Sequence, residues 1–156
     1  MVYFVGAGTG AADLITVRGM HLLEKADVII YAGSLVNPEL LKETKPGCEI
    51  LNSAYMTLDE VIDAMEKAEE AGKMTVRLHT GDPSIYGAIR EQMDELDKMG
   101  VSYDVTPGVS SFSGAAASMV RPRRTRVATV DSFSPSRRAI SRLLSSSTHF
   151  SSSTRR

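Results

Sequence analysis

The sequence predicts an α/β domain over residues 1–119, a five-stranded parallel sheet with helices on both faces, followed by a disordered tail over 120–156. Three observations predict it. Short apolar runs such as Val2-Tyr3-Phe4-Val5 and Val28-Ile29-Ile30-Tyr31 have the character of strands buried on both faces, a property of parallel sheets. These runs alternate with longer segments of helical period, as strands joined by crossover helices do. Three of the runs end in glycine turns: Gly6-Ala7-Gly8-Thr9-Gly10, Thr80-Gly81-Asp82-Pro83-Ser84-Ile85-Tyr86-Gly87 and Thr106-Pro107-Gly108-Val109-Ser110-Ser111. In open α/β sheets, strand ends of this kind are where ligands bind.

Taken in order, Val2-Tyr3-Phe4-Val5 is stopped by Gly6 and is expected to be the central strand. Thr16 offers a helix N-cap before Val17, Met20 and Leu23, which share one face at a spacing of three, and Lys25 suits the last turn. Asp27-Val28-Ile29-Ile30-Tyr31 is the second strand. A loop with Gly33, Ser34 and Asn37-Pro38 leads to a short segment over 39–43, then Pro46-Gly47 turns the chain into Glu49-Ile50-Leu51 as the third strand. Thr57-Leu58-Asp59-Glu60 has capping-box spacing, Leu58, Val61, Ile62 and Met65 recur at helical period, and Gly72 supplies the stop. Thr75-Val76-Arg77-Leu78 is the fourth strand. A helix over 84–99 then carries Ile89, Met93 and Leu96 inward, pairs Arg90 with Asp94 on its wet face, and closes at Gly100. Ser102-Tyr103-Asp104-Val105-Thr106 is the fifth strand. After Pro107-Gly108, the small residues of 111–118, with Gly114-Ala115-Ala116-Ala117, suit a helix packed closely on the sheet.

Composition bounds the rest. With 42% hydrophobic and 24% charged residues in 156, the chain suits one soluble domain. Its single cysteine, Cys48, allows no intrachain disulfide and no cysteine zinc cluster, which fits a reducing cytoplasm and a buried, inert thiol. The N-terminal apolar run lacks a basic region and stops at Gly6, far short of the roughly 20 residues of a membrane span, so no membrane partner is expected. The net charge of -1 hides a split: residues 1–119 hold 9 bases against 18 acids, and 120–156 hold 9 Arg against Asp131 alone. The tail, with 10 Ser, no glycine and only Ile140, Leu143 and Leu144 as an apolar face, has too little to bury; at most a weak helix over 136–144 is expected.

Gly6-Ala7-Gly8-Thr9-Gly10-Ala11 satisfies the loose dinucleotide pattern, whose glycines permit close backbone approach to a ligand. Against a nicotinamide site, no acid follows the second strand, where the chain reads Tyr31-Ala32-Gly33, and the helix starts late, at Thr16. No Gly-Lys-Ser/Thr follows any glycine turn, His21, His79 and His149 lack metal-ligand spacing, and no nucleophile elbow is present. No resident metal is expected. His79 either lines the crevice or is satisfied at a strand end by backbone partners. Asp82, before a proline, is expected to cap a turn or anchor a ligand rather than exchange protons.

Together, Phe4-Val5-Gly6-Ala7-Gly8-Thr9-Gly10 with Asp13-Leu14-Ile15-Thr16-Val17, Val76-Arg77-Leu78-His79-Thr80-Gly81-Asp82-Pro83-Ser84-Ile85-Tyr86-Gly87-Ala88, and Thr106-Pro107-Gly108-Val109-Ser110-Ser111 resemble the tetrapyrrole (corrin/porphyrin) methylase family. The resemblance covers about residues 1–119; within the family, Tyr31-Ala32-Gly33-Ser34-Leu35-Val36 and Leu78-His79-Thr80-Gly81-Asp82-Pro83 are most similar to members acting on corrin precursors of cobalamin synthesis. It implies S-adenosylmethionine as methyl donor, a tetrapyrrole acceptor, a donor cleft between two α/β domains of which only the first is present, and a homodimer. The implied donor contacts are Thr9, Thr80, Gly81, Asp82, Ile85, Ser110 and Ser111; no catalytic residue is implied. One departure bears on activity more than on fold. The family's first loop usually reads Gly-Pro-Gly-Asp, whereas this chain has Gly8-Thr9-Gly10-Ala11, without the fixed φ of proline or the carboxylate.

A competing function, nucleic-acid binding through the basic tail, would act by phosphate neutralisation, with only Phe133 and Phe150 available for stacking. The tail reads instead as an out-of-frame or aberrant terminus: 6 Lys and 3 Arg before Val120 become no Lys and 9 Arg after it. An evolved phosphate-binding tail is expected to mix the two, since phosphate accepts either as a point charge. Translating the encoding DNA past the Met119 codon in the neighbouring frames should therefore yield a continuation with strand and helix patterns. If neither frame does so, the tail is a genuine basic segment.

Overall fold

A computed structural model describes residues 1–86 and 89–120. The tail beyond 120, with its expected disorder and weak helix, lies outside the described residues, as do Gly87 and Ala88. Five strands form one parallel sheet: β1 (Val2–Gly6), β2 (Val28–Tyr31), β3 (Glu49–Asn52), β4 (Thr75–His79) and β5 (Tyr103–Thr106), in the order β3-β2-β4-β1-β5. The middle strand is thus β4, buried at all five positions, and the expected central strand β1 lies beside it, paired with β4 and β5. An unbroken apolar run reports burial on both faces, which every interior strand shares; it does not report rank in the sheet.

Both faces are covered, as the sequence predicts. Phe4, Val28 and Ile30 on one face pack under α2 (Leu58–Glu70) and α4 (Arg90–Met99) with Val61, Ile62, Met65, Ile89 and Leu96. Val5, Ile29, Val76 and Leu78 on the other face meet Leu23 of α1 (Val17–Lys25) and Leu40 of a 3-10 segment, Pro38–Glu43.

The local signals operate as their chemistry demands. Thr16 Oγ1 accepts the Gly19 N–H at 3.1 Å and caps α1. The Thr57 side chain accepts the Glu60 N–H at 3.2 Å while the Glu60 carboxylate accepts the Thr57 N–H at 2.7 Å, completing the capping box. Those hydrogen bonds hold the Glu60 carboxyl below its ordinary range. Gly72 and Gly100, at φ +66° and +69°, end α2 and α4 in the left-handed conformation that side chains resist. Arg90 Nε and Asp94 Oδ1 are 2.9 Å apart on the solvent face of α4.

Three expectations need correction. Val17 is 73% exposed, and α1 instead buries Gly19 and Leu23, because a β-carbon on Gly19 would fall 3.0 Å from Val5 and the helix approaches β1 through that gap. The helix expected over 84–99 is described as two pieces, α3 (Pro83–Tyr86) and α4 from Arg90, with Ile89 as the N-cap of the second. The small-residue helix α5 (Ser111–Met119) buries no residue and does not lie on the sheet; Gly114 faces the first glycine loop instead.

The fold also buries an arginine. Arg77, in β4, is 7% exposed; its Nε donates to Gln92 Oε1 at 3.0 Å and its Nη1 to the Ile30 carbonyl at 3.1 Å. Desolvation lowers its pKa to about 10, so it remains cationic at neutral pH. It ties β2, β4 and α4 together.

Replacing Thr57 by Ala removes one half of the reciprocal cap and should cost about 1 kcal/mol. Thermal unfolding should shift down by about 4 °C with the far-ultraviolet spectrum retained.

Candidate functional site

The loops that follow β1, β4 and β5 meet because those strands are neighbours in the sheet. Ala7 N–H donates to the His79 carbonyl at 2.7 Å, Gly8 N–H to the Gly81 carbonyl at 3.2 Å, and Gly81 N–H returns to the Gly8 carbonyl at 2.8 Å. The third loop closes against the first two at backbone distance. A β-carbon on Gly6 would fall 2.5 Å from Gly81 O and 2.6 Å from Gly108 Cα, and one on Gly108 would fall 2.1 Å from Gly81 O. Glycine is required at both positions by space alone. Gly8 and Gly81 add a torsional requirement, with φ +81° and +61°.

Outer contacts fix the loops. Thr16 Oγ1 reaches the Pro107 carbonyl at 3.4 Å, and Asn37 Nδ2 donates to the Gly10 carbonyl at 2.7 Å. Asn37 was legible in the sequence only as part of an Asn-Pro turn; its contact with a residue 27 positions earlier has no local signal.

The expected ligand residues gather on this edge. Thr9 is half-buried, and a β-carbon on Gly114 of α5 would fall 2.7 Å from its methyl group. A β-carbon on Gly81 would have the Ser111 nitrogen and Ser110 Cα at 3.6 and 3.9 Å. Thr80 and Asp82 are half-buried beside Gly81, and Ile85 is 64% exposed on α3. Asp82 Oδ1 accepts from Ser84 N–H at 2.8 Å and Ser84 Oγ–H at 2.6 Å, so this carboxylate opens α3, the capping role expected of it. Ser110 Oγ accepts the Phe112 N–H at 3.3 Å at the start of α5. The edge therefore offers backbone at close approach, four half-buried or exposed hydroxyls and one carboxylate, which is engaged in capping α3.

Of the two readings of His79, the structure bears on the second. It ends β4, is 8% exposed and packs on the Phe4 ring at 6.1 Å, yet its Nε2 has no hydrogen-bond partner. Burial, with the Arg77 charge adding to it, pushes its pKa down to about 3. The expectation of full satisfaction by backbone partners fails for that atom.

The edge is also apolar at its rim. Leu14, Leu35, Tyr55, Ile85 and Phe112 lie in the segments following β1, β2, β3, β4 and β5 in turn, and all are exposed. A cleft of about 520 Å³ lined by Val28, Leu51, Met56, Ala64 and Lys67 lies beside α2, away from all three loops. It shares no residue with the convergent site. The helix α1 starts at Val17, seven residues beyond Gly10, so no helix N-terminus stands over the first glycine turn as a dinucleotide site requires. Among the described residues no helix is long and apolar enough to cross a membrane.

Residues 1–150 match the family described as Tetrapyrrole (Corrin/Porphyrin) Methylases. The chain is 59% identical over 118 residues to the cobalt-precorrin-4 C(11)-methyltransferase of Methanocaldococcus jannaschii, covering 76% of this chain and 46% of that protein. It is 47% identical over 120 residues to the precorrin-4 C(11)-methyltransferase of Mycobacterium tuberculosis, covering 77% and 48%. Among solved structures, the cobalt precorrin-4 methyltransferase CbiF superposes with a TM-score of 0.73 at 50% identity, over 75% of this chain and 49% of that one. A uroporphyrin-III C-methyltransferase from Thermus thermophilus, complexed with S-adenosylhomocysteine, gives 0.63 at 32% identity over 82% and 52%. The chain thus spans about half the length of the relatives it matches.

Two glycine substitutions separate crowding from torsion. Gly108→Ala drives a β-carbon into backbone and should cost about 3 kcal/mol or more. Gly10→Ala, with φ +117° but no atom within 4 Å, should cost about 1 kcal/mol. Urea midpoints of the two variants measure the difference.

Proposed function

Since the chain belongs to the tetrapyrrole (corrin/porphyrin) methylase family, we propose that it carries the donor-binding half of an S-adenosylmethionine-dependent C-methyltransferase. Its acceptor is a corrin precursor of cobalamin biosynthesis, precorrin-4 or cobalt-precorrin-4, methylated at C11, the reaction named for its relatives. The observation that carries the reading is the convergence of the three glycine loops at one strand edge, with Thr9, Thr80, Gly81, Asp82, Ile85, Ser110 and Ser111 on those loops and the helices they open. That arrangement suits a donor molecule held by hydroxyls and main-chain groups. The exposed rim formed by Leu14, Leu35, Ile85 and Phe112 supports a further mass on this edge, in line with the chain's half length.

A nucleophilic ring carbon of the macrocycle attacks the sulfonium methyl in line; the new C–C bond forms as the S–CH3 bond breaks, and its electron pair leaves with sulfur as the neutral thioether. The positive charge passes to the macrocycle, which sheds a ring proton to water. The electron-rich ring supplies the nucleophile, so binding energy goes to proximity, alignment and exclusion of water. This agrees with an edge built largely of backbone and hydroxyls. The natural setting of such an enzyme is cytoplasmic, and a homodimer is the assembly that goes with the reading.

The dinucleotide alternative meets only the glycine spacing; neither the helix start nor an acid after β2 fits it. The nucleic-acid alternative rests on the tail, outside the described residues.

Half a pocket should bind weakly. Calorimetry of this chain with S-adenosylhomocysteine should give a dissociation constant of about 1 mM, because the ordering cost of binding is offset by contacts on one side only. Fusing the C-terminal half of the Methanocaldococcus protein after residue 119 should tighten it to about 10 μM or below. Failure of that fusion to bind at all would overturn the proposed function.

A further inference from the structure

Among the described residues, two buried side-chain atoms have no hydrogen-bond partner: His79 Nε2 and Thr106 Oγ1. Their residues are 8% and 1% exposed, and each is the last residue of its strand, β4 and β5. The two strands flank β1, His79 in register with Gly6 and Thr106 with Val5, so both residues stand at the roots of the convergent loops. An unpaired polar atom inside a protein pays for its lost hydration without return, and each such atom asks for an explanation. Among the described residues none pairs with Nε2; the ring stands 6.1 Å from that of Phe4, which in turn stands 6.0 Å from that of Tyr103. Arg77, on the same face of the sheet, can only donate, and it is engaged with Gln92 and the Ile30 carbonyl.

Phenylalanine would fill the same space against Phe4 at no polar cost. We propose that His79 is a ligand-contacting residue whose Nε2 hydrogen-bonds a polar group of the molecule held by the three loops, and so helps to select that molecule. This rests on the function proposed above and deepens it. The imidazole stays neutral, since burial and the adjacent guanidinium oppose its charging, so it recognises by hydrogen bonding and not by charge. Two sources present suitable N–H or O–H groups, the nucleoside of the methyl donor and the pyrrole rings of the acceptor. Thr106, on the opposite face of the sheet end, is left for the same ligand or for water and carries no part of the assignment.

The test uses the full chain, labelled with 15N and titrated separately with S-adenosylhomocysteine and with uroporphyrin III. Long-range 1H–15N spectra follow the His79 ring, identified by its loss in His79→Phe, while the Gly8 and Gly81 amides report loop occupancy. The expected result is that the ring nitrogens shift together with the loop amides. A response to the nucleoside alone assigns the contact to the donor, and a response to the tetrapyrrole alone assigns it to the acceptor. Loop amides that shift while the ring stays unchanged would overturn the inference and leave the proposed function standing; silence of both with either ligand would overturn both. His79→Phe should keep the fold, with thermal stability equal or higher, and weaken ligand binding by about three- to tenfold, the worth of one hydrogen bond. Unchanged affinity in that variant would count equally against the contact.

Discussion

The structure depends on three main chains passing within backbone distance of one another. Gly6, Gly81 and Gly108 approach so closely that a single β-carbon on either Gly6 or Gly108 would overlap a carbonyl oxygen or an α-carbon. Such an approach is available only where the strands feeding the loops are adjacent, and the pairing of β1 with both β4 and β5 provides that. The reciprocal Gly8–Gly81 hydrogen bonds then extend the sheet by one irregular step past its regular end. Loop geometry, and with it the site, follows from strand order.

The two faces of the sheet are built differently. The face under α1 is almost wholly aliphatic, which lets Gly19 bring the helix against β1. The face under α2 and α4 carries a cation and an imidazole in its core. Arg77 is tolerated there because Gln92 and a main-chain carbonyl satisfy its donors, and those bonds hold α4 in the place where the chain returns from the Gly-Asp-Pro loop. His79 is placed two residues later on the same face, and its neutral state follows from the same low polarity.

At that end the apolar surface is not closed. Each of the five strands is followed by a segment exposing a large apolar side chain, and α5 buries none of its residues. Exposed apolar residues are ordinary when scattered; a series that follows every strand end around one rim marks a surface made for contact. The length comparison gives the same picture from outside the structure, since the relatives are about twice as long as the matched region.

What the sequence determined by itself is what local chemistry controls. Caps at Thr16 and Thr57, stops at Gly72 and Gly100, the Arg90–Asp94 pair and the five apolar runs all act within a few residues, so their spacing is legible in one dimension. The three motif loops were legible for a related reason, because glycines at strand ends mark close approach before it is known what approaches. The tertiary structure alone decided the rank of β4 at the centre, the outward turn of Val17, the displacement of α5 from the sheet onto Thr9, and the burial of Arg77. Each of these depends on which residue from a distant part of the chain occupies a shared volume, and no periodicity carries that information. His79 shows the division most clearly: its place beside the loop was written in the sequence, whereas the burial of its ring beside Phe4, with no partner for Nε2, arises only once β1 and β4 have paired.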